Sequence, residues 1–393
     1  MFLFYGLGAL LILAPLFRAG NRPLPLLTME LIALALLALW FWRPTTGGVP
    51  LPRTMKWFLA ILFLLPLMQL LPMPMFFWDS LPGRSFYANA LQQANVLSVG
   101  IRWRTISLIP AETETAWLAL LPPLAVFLVA FHMKREQLIK LTLVFLGIAV
   151  SEALLGLIQY GDGPNGVFRL GNTWADAGAS GTYMNRNHLA GLLEMALPVS
   201  IALLVATIGH GTHSHHHYHN RRQRTLRQWV AHFSIVQLNQ TLLFGVTFIA
   251  ILTGLIFTRS RAGIGLAMIG LLLSTLLFSA RLGGRNAYGL MGTLMALSVG
   301  FASLVGLVPV LTQFTEQDPL NDGRWIVFEA TVHAIGVFFP LGSGAGTTAE
   351  VLHRFHPANF PSATINHVHN DYLEWILEFG LVAILMIATW VVF

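Results

Sequence analysis

The chain has 393 residues, of which 55% are hydrophobic and 10% are charged, and its mean hydropathy is +0.66. This composition excludes a soluble globular domain and indicates an integral membrane protein. The formal net charge of +6 is scattered over short connectors between apolar segments, which argues against a nucleic-acid partner. Because the chain has no cysteine, disulfides, thiolate metal sites and a cysteine nucleophile are excluded.

Apolar segments of about 20 residues, long enough to cross roughly 30 Å of hydrocarbon as helices, recur along the chain. They predict an all-α polytopic membrane protein with about ten membrane-spanning helices. The predicted helices are 1–17, 24–42, 57–78, 116–132, 138–160, 187–207, 238–258, 262–280, 288–310 and 371–393. We expect a single transmembrane domain, 1–393, with a long loop at 311–370. The chain stops inside the apolar run MIATWVVF, so we also expect that it could be truncated at the C-terminus.

The basic residues indicate how the predicted helices are oriented. Arginine and lysine cluster in the connectors before the third, fifth, seventh and ninth helices. The positive-inside rule therefore predicts a cytoplasmic N-terminus. It places the connectors at 79–115, 161–186, 259–261 and 311–370 on the outer side of the membrane.

Four polar stretches fall on this predicted outer side: GTYMNRNHLAG (181–191), TRSRAG (258–263), NDGRW (321–325) and NHVHNDYLEW (366–375). Charged side chains near the hydrocarbon are costly and are functional candidates by default. Arginine has a planar fork that suits paired phosphate oxygens, so the arginines of these stretches could hold a diphosphate. The alternative is that they extend to lipid headgroups.

The last of these stretches holds the strongest catalytic candidate, His369. Asp371 and Glu374 have the spacing of a capping box, which predicts that a helix starts there and leaves His369 and Asn370 just outside it. A neutral imidazole at that place could accept a proton from a sugar hydroxyl. The alternative is a hydrogen-bonded interface histidine. A metal site at His367, His369 and Asp371 is not favoured, because no third strong ligand has motif spacing.

The chain resembles the O-antigen ligase and Wzy-type polymerase superfamily of bacterial envelope glycosyltransferases. GTYMNRNHLAG before a helix, SRAG at a helix start, GRW early in a long loop and HNDYLEWILEFG before a late helix carry the resemblance, in this order. The last motif is the most specific of the four, and the resemblance spans roughly residues 140–390. Position 186 is arginine where members often have proline.

The resemblance implies a GT-C-like bundle of about a dozen spans in the bacterial inner membrane, with its active site facing the periplasm. It implies that a glycan moves from undecaprenyl diphosphate to an acceptor hydroxyl, most closely that of lipid A core, without a metal or other cofactor. Carried over by position, His369 is the expected general base, and Arg261 and Arg324 are expected to bind the diphosphate. The further expected substrate-binding residues are Arg186, Arg259, Asn370 and His188.

Other functions fit the same residues. A polymerase that extends the lipid-linked glycan and a protein O-oligosaccharyltransferase would use the same chemistry. A solute or anion transporter belongs to a different class and would place its binding groups at broken helices near the bilayer midplane. The polar stretches of this chain lie instead at the predicted outer ends of helices.

Overall fold

The computed structural model describes residues 1–16, 22–42, 50–93, 103–169, 178–183, 185–213, 235–282, 292, 300, 324–356 and 365–392. Helices make up most of this part of the chain. They are α1 Phe2–Leu13, α2 Pro23–Trp42, α3 Arg53–Gln69, α4 Met75–Asp79, α5 Ser85–Gln93, α6 Pro110–Leu118, α7 Leu121–Phe131, α8 Arg135–Asp162, α9 Arg186–His213, α10 Ile235–Phe257, α11 Arg261–Leu282, α12 Arg324–Phe338, α13 Thr348–Arg354, α14 Asp371–Phe379 and α15 Leu381–Val392. A short 3-10 helix covers Val167–Arg169.

Five spans among the described residues are long and apolar enough to cross a membrane. They are Pro23–Trp42, Pro110–Phe131, Arg135–Asp162, Arg186–Thr207 and Asn239–Phe257. The predicted all-α polytopic membrane fold is thereby confirmed. The predicted helix at 288–310 lies outside the described residues, apart from two isolated positions.

The predicted helix at 57–78 is shorter than expected. α3 ends at Gln69, and the chain then forms β1, Pro72–Pro74, which pairs antiparallel with β2, Trp103–Thr105. Proline lacks a backbone N–H and cannot continue the helical hydrogen-bond ladder, so the LPMP sequence ends the helix.

Two other predictions differ from the structure. The predicted helix at 371–393 is two helices, separated at Gly380, whose φ is 58°. A Cβ at Gly380 would lie 2.0 Å from the Pro340 carbonyl oxygen, so this position requires glycine. The segment predicted as a loop at 311–370 contains α12 and α13.

The chain divides into two compact units, of which the first comprises Met1–Met29 and Met133–Glu316. Its core is a buried apolar cluster contributed by α8, α9, α10 and α11. Small residues bring these helices close together: a Cβ at Gly254 would lie 2.6 Å from that of Ala153, and one at Gly263 would lie 2.5 Å from that of Ala190. Close backbone approach at small residues is how membrane helices gain packing energy.

The second unit comprises Glu30–His132 and Gln317–Phe393. A glycine-rich turn after α12, residues 342–346, lies against the end of α14. Gly342 has a φ of 80°, and a Cβ there would lie 2.3 Å from the Glu378 carbonyl oxygen. The Ser343 N–H donates to the Leu377 carbonyl oxygen at 2.9 Å. The end of α12 and the end of α14 are therefore fixed together.

Two buried polar side chains attach other segments of this unit to the same turn. Gln69, at the end of α3, accepts a hydrogen bond from the Ala345 N–H and donates one to the Glu378 carbonyl, both at 2.9 Å. Arg84 is fully buried and donates to the carbonyl oxygens of Gly342 and Ile106 at 2.8 and 2.7 Å. Burial lowers the pKa of Arg84 to about 10, so the guanidinium stays charged at neutral pH.

Candidate functional site

The first unit brings the starts of α9 and α11 together. Ser260 caps α11, because its Oγ accepts the Gly263 N–H at 3.2 Å, and the same hydroxyl donates to Asn187 Oδ1 in the first turn of α9 at 2.8 Å. Farther along, a Cβ at Gly270 would lie 3.3 Å from Pro198 Cγ. Since contacts advance in the same direction along both helices, α9 and α11 are parallel and their N-termini are adjacent.

This arrangement assembles three of the predicted arginines in one unit. Arg186 is the first residue of α9 and Arg261 is the first residue of α11. Arg259 lies in the turn between α10 and α11, with a φ of 55°, and its Nη2 donates to the Tyr160 hydroxyl at 3.0 Å. His188 is exposed in the first turn of α9. Two helix N-termini and three guanidiniums give this place a positive potential.

The segment before α9 is fixed by Gln159, a fully buried residue of α8. Its Oε1 accepts from the Gly181 N–H at 2.8 Å and from the Ser180 N–H and hydroxyl at 3.2 Å each. Its Nε2 donates to the carbonyl oxygens of Gly181 and Phe168 at 2.7 and 2.9 Å. A single side chain therefore satisfies the backbone of a turn that leads into Arg186.

Glu152, about two turns earlier in the same helix, holds the next residue of that segment. Its two carboxylate oxygens accept from the N–H and the hydroxyl of Thr182, both at 2.8 Å. A Cβ at Gly181 would lie 2.3 Å from Glu152 Oε2, which explains why the glycine, at φ 60°, is needed there. Glu152 and Gln159 together determine where α9 begins.

The second unit contains His369 and Asn370. The predicted cap at Asp371 is wrong by one residue: Asn370 is the N-cap of α14, and its Oδ1 accepts the N–H groups of Tyr372 and Leu373 at 3.1 and 3.2 Å. Because Asn370 is the cap residue, Asp371 is the first residue inside the helix. His369 is exposed immediately before the cap, with a φ of 60°.

Glu374 does not act as the reciprocal member of a capping box. Its Oε2 accepts the Val368 N–H at 3.1 Å, and its Oε1 lies 3.2 Å from Nδ1 of His367. The carboxylate therefore binds the segment before His369 instead of the N–H of the cap residue. The Glu374 hydrogen bond raises the pKa of His367 above its ordinary value, with smaller contributions from the Glu378 and Asp371 charges.

Arg324, the first residue of α12, is exposed in the same unit. Val327 at the start of α12 and Val368 before α14 share one buried apolar cluster, and the two helices also meet at their C-terminal ends. α12 and α14 are therefore parallel. The structure places Arg324 and His369 at the same end of this helix pair.

α15 follows α14 after a break at Gly380. A cavity of about 460 Å³ is lined by Phe58, Asn370, Asp371, Tyr372, Trp375, Met386 and Ile387. In one continuous helix Tyr372 and Met386 would be about 21 Å apart, at 1.5 Å per residue. Because both line the same cavity, the chain changes direction at Gly380, and the N-terminus of α14 lies at that cavity.

The metal-free prediction concerns the same histidines. Among the residues that the structure describes, no three His, Asp or Glu side chains are grouped so that they could hold a metal ion. His367 is paired with Glu374. Metal independence stays a prediction for measurement.

The helices and their apolar spans define an all-α polytopic membrane protein. Residues 246–388, from α10 to α15, match the O-antigen ligase family, which supports the resemblance of the chain to the O-antigen ligase and Wzy-type polymerase superfamily. The matched segment contains Arg259, Arg261, Arg324, His369 and Asn370, whereas Arg186 and His188 precede it. No curated protein matches the chain, and no solved structure does.

The matched segment supports a general function. The match supports a glycosyltransferase-type enzyme of O-antigen and lipopolysaccharide processing in a bacterial membrane, and the O-antigen ligase family implies a lipid-linked glycan and a lipid acceptor.

Proposed function

We propose that this protein transfers a glycan from an undecaprenyl diphosphate carrier to lipid A core, at the periplasmic face of the inner membrane. It is then an O-antigen ligase that uses no metal. The N-terminus is cytoplasmic, and the starts of α9, α11, α12 and α14 face the periplasm. His369 is the general base, and Arg186, Arg259, Arg261 and Arg324 bind the diphosphate, with Asn370 and His188 as further contacts to substrate.

The parallel pair α9 and α11 is the observation that carries this proposal. Each helix N-terminus carries roughly half a positive charge from its aligned peptide dipoles. Arg186 and Arg261 add two full charges at the same place, and the Ser260 bridge to Asn187 holds the two starts together. A diphosphate bears paired oxygens that match the guanidinium forks, and its negative charge is stabilised by the positive ends of the helix dipoles.

In the proposed reaction the His369 imidazole takes the proton of an acceptor hydroxyl. The acceptor oxygen attacks the anomeric carbon of the donor glycan, and the bond between that carbon and the diphosphate oxygen breaks. The electron pair leaves with undecaprenyl diphosphate, and the arginines neutralise the charge that develops on it. The positive end of the α14 dipole lies next to His369. It disfavours the charged imidazolium and so favours the neutral imidazole that the reaction needs before proton transfer.

The first test replaces the proposed groups in a strain that lacks the chromosomal gene. His369→Ala should lower transfer by about 10²- to 10⁴-fold, the usual contribution of a general base. Arg261→Ala should lower it by about 10²- to 10³-fold, and Arg261→Lys by less, because lysine keeps the charge without the fork. His353→Ala and Arg135→Ala, exposed side chains of the respective units, are the controls and should transfer normally. Wild-type transfer by His369→Ala would refute the general-base role.

The glycan phenotype of the deletion separates the ligase from its relatives. A ligase deletion leaves uncapped lipid A core and accumulates long lipid-linked polymer. A polymerase deletion leaves core capped with single repeats. If the deletion strain carried lipid A core capped with single repeats, the protein would be a polymerase and not the proposed ligase.

The cysteine-free chain allows a direct test of the membrane orientation. Asn366→Cys, exposed beside His369, should react with a membrane-impermeant maleimide added to spheroplasts. Lys134→Cys, exposed before α8 in a predicted cytoplasmic connector, should react only after permeabilisation. The reverse pattern would place the histidine segment in the cytoplasm.

A further inference from the structure

His369 has a backbone conformation that side-chain-bearing residues rarely adopt. Its φ is 60°, in the left-handed region, which costs on the order of 1–2 kcal/mol for a residue with a Cβ. Such a conformation persists only where neighbouring contacts hold it. The residues on both sides of His369 therefore need a physical anchor.

The anchor on the C-terminal side is the helix cap. Asn370 Oδ1 accepts two N–H groups of the first turn, and the Asn370 carbonyl accepts the Glu374 N–H at 3.0 Å. This fixes the peptide that follows His369 to the start of α14.

The N-terminal side is held by the Glu374 carboxylate and by the burial of Val368. Glu374 Oε2 accepts the Val368 N–H at 3.1 Å, and Val368 itself is fully buried in the apolar cluster of this unit. Glu374 Oε1 forms an ion pair at 3.2 Å with His367, whose side chain is 68% exposed. Glu374 lies in the first turns of α14, where the helix dipole stabilises a negative charge. The segment 367–369 is thus folded back over the helix that follows it.

We propose that Glu374 is a positioning residue for the transfer reaction: it fixes the backbone of 367–369 so that the His369 imidazole is presented to the acceptor hydroxyl. The inference rests on the proposed function of His369. His367 strengthens the anchor as the charged partner of Glu374, and Asp371 and Glu378 are the other charged groups that face His367. A displacement of about 1 Å in a reacting group can cost up to about 10²-fold in rate, so a loop anchor is sufficient to control kcat.

The test compares kcat and the KM for acceptor in purified full-length enzyme. Glu374→Ala removes both bonds and should lower kcat by about 10- to 100-fold with KM changed little. Glu374→Gln keeps an acceptor for the Val368 N–H and loses the ion pair, so its kcat should lie between the Ala variant and wild type. His367→Ala should match Glu374→Gln, and combining these two changes should add nothing further, because both remove the same ion pair. Glu350→Gln, an exposed carboxylate on α13, is the control and should behave as wild type.

A second readout separates positioning from general stability. The kcat ratio of wild type to Glu374→Gln should fall as the pH rises through the pKa of His367, because the ion pair that distinguishes them disappears. In hydrogen exchange, the peptide covering 365–373 should exchange faster in Glu374→Ala and at the wild-type rate in His369→Ala. Tryptophan-fluorescence melting shows whether Glu374→Ala folds. If it does not, the pH dependence of the kcat ratio between wild type and Glu374→Gln decides whether Glu374 is a positioning residue.

The outcomes distinguish the two proposals. Wild-type kcat in both Glu374 variants, with an inactive His369→Ala, overturns the positioning role and leaves the proposed function standing. Full transfer by His369→Ala overturns the proposed function itself. A raised KM with unchanged kcat in Glu374→Gln also overturns the positioning role, since it would assign Glu374 to acceptor binding.

Discussion

Replacing Gln159 by leucine should loosen the segment that leads into Arg186. The substitution keeps the side-chain volume and removes all five hydrogen bonds that the amide makes to residues 168, 180 and 181. Because Gln159 is fully buried, water has little access to the groups left behind. The perturbation is therefore polar rather than steric.

The magnitude follows from the backbone groups that lose their partner. Among the described residues, Gln159 is the hydrogen-bond partner of both the N–H and the carbonyl oxygen of Gly181, at 2.8 and 2.7 Å. An unsatisfied buried polar group costs about 1–3 kcal/mol, so these two groups give about 2–6 kcal/mol before the segment relaxes. Ser180 and Phe168 add to this cost, and relaxation towards water reduces it.

Tryptophan-fluorescence melting of the detergent-solubilised protein measures the effect, since the chain has 11 tryptophans. The apparent melting temperature of Gln159→Leu should fall by on the order of 5 °C. Gln137→Leu is the matched control on the same helix, because its side chain accepts only one long bond, 3.4 Å from the Lys134 N–H. Equal melting temperatures for the two variants would refute the reasoning, as would a Gln159→Leu variant that melts with wild type.

Three other predictions concern the second unit and the expected metal independence. Gly380→Ala should impair folding, because its Cβ would overlap the Pro340 carbonyl oxygen at a position with positive φ. The control is Gly336→Ala in α12, whose Cβ meets no atom within 4 Å and which should be neutral or stabilising by up to about 1 kcal/mol. Expression level and melting temperature compare the two variants. The ion pair of His367 with Glu374 should contribute its full stability below pH 6.5, the ordinary pKa of histidine, and this stability should be lost as the pH rises through the raised pKa of His367. Hydrogen-exchange rates of the segment 365–373 across pH 5–8 measure this. A difference in exchange rate between wild type and His367→Ala that does not change with pH would contradict it. Transfer should continue in excess chelator, and loss of activity that divalent cations restore would show a metal requirement.

The sequence predicted those helices whose ends carry strong local signals. The helix predicted at 187–207 begins at Arg186 in the structure, and the one predicted at 262–280 begins at Arg261, because Asn185 and Ser260 are efficient N-caps next to long apolar runs. Proline at N1 marks the start of α6 at Pro110, which hydropathy alone placed six residues later.

Local signals failed where long-range contacts decide the conformation. Hydropathy is continuous across Gly380, and only the Pro340 carbonyl, 40 residues away, shows why the helix breaks there. Glycine nine residues after a helix start was an available signal for that C-terminus. The choice of Asn370 over Asp371 as the cap depends on which side chain reaches the first-turn N–H groups, and both types are good caps.

The positioning residues were missed for a related reason. Gln159 and Glu152 sit in an apolar helix, and their partners are 9 to 30 residues farther along the chain. Nothing local distinguishes them from a polar interruption in a membrane span. Glu374 was seen, but as a capping-box member, since its bond to Val368 requires the reversal of the chain around His369.

The attachment of α3 to the glycine-rich turn has a mechanical consequence. Gln69 bonds to Ala345 and Glu378 at once, so one side chain connects the last turn of α3, the glycine-rich turn and the end of α14. A displacement of the last turn of α3 would therefore be transmitted to the C-terminal end of α14. Gln69 thus links α3, which holds none of the predicted site residues, to the helix that directly follows His369 and its cap.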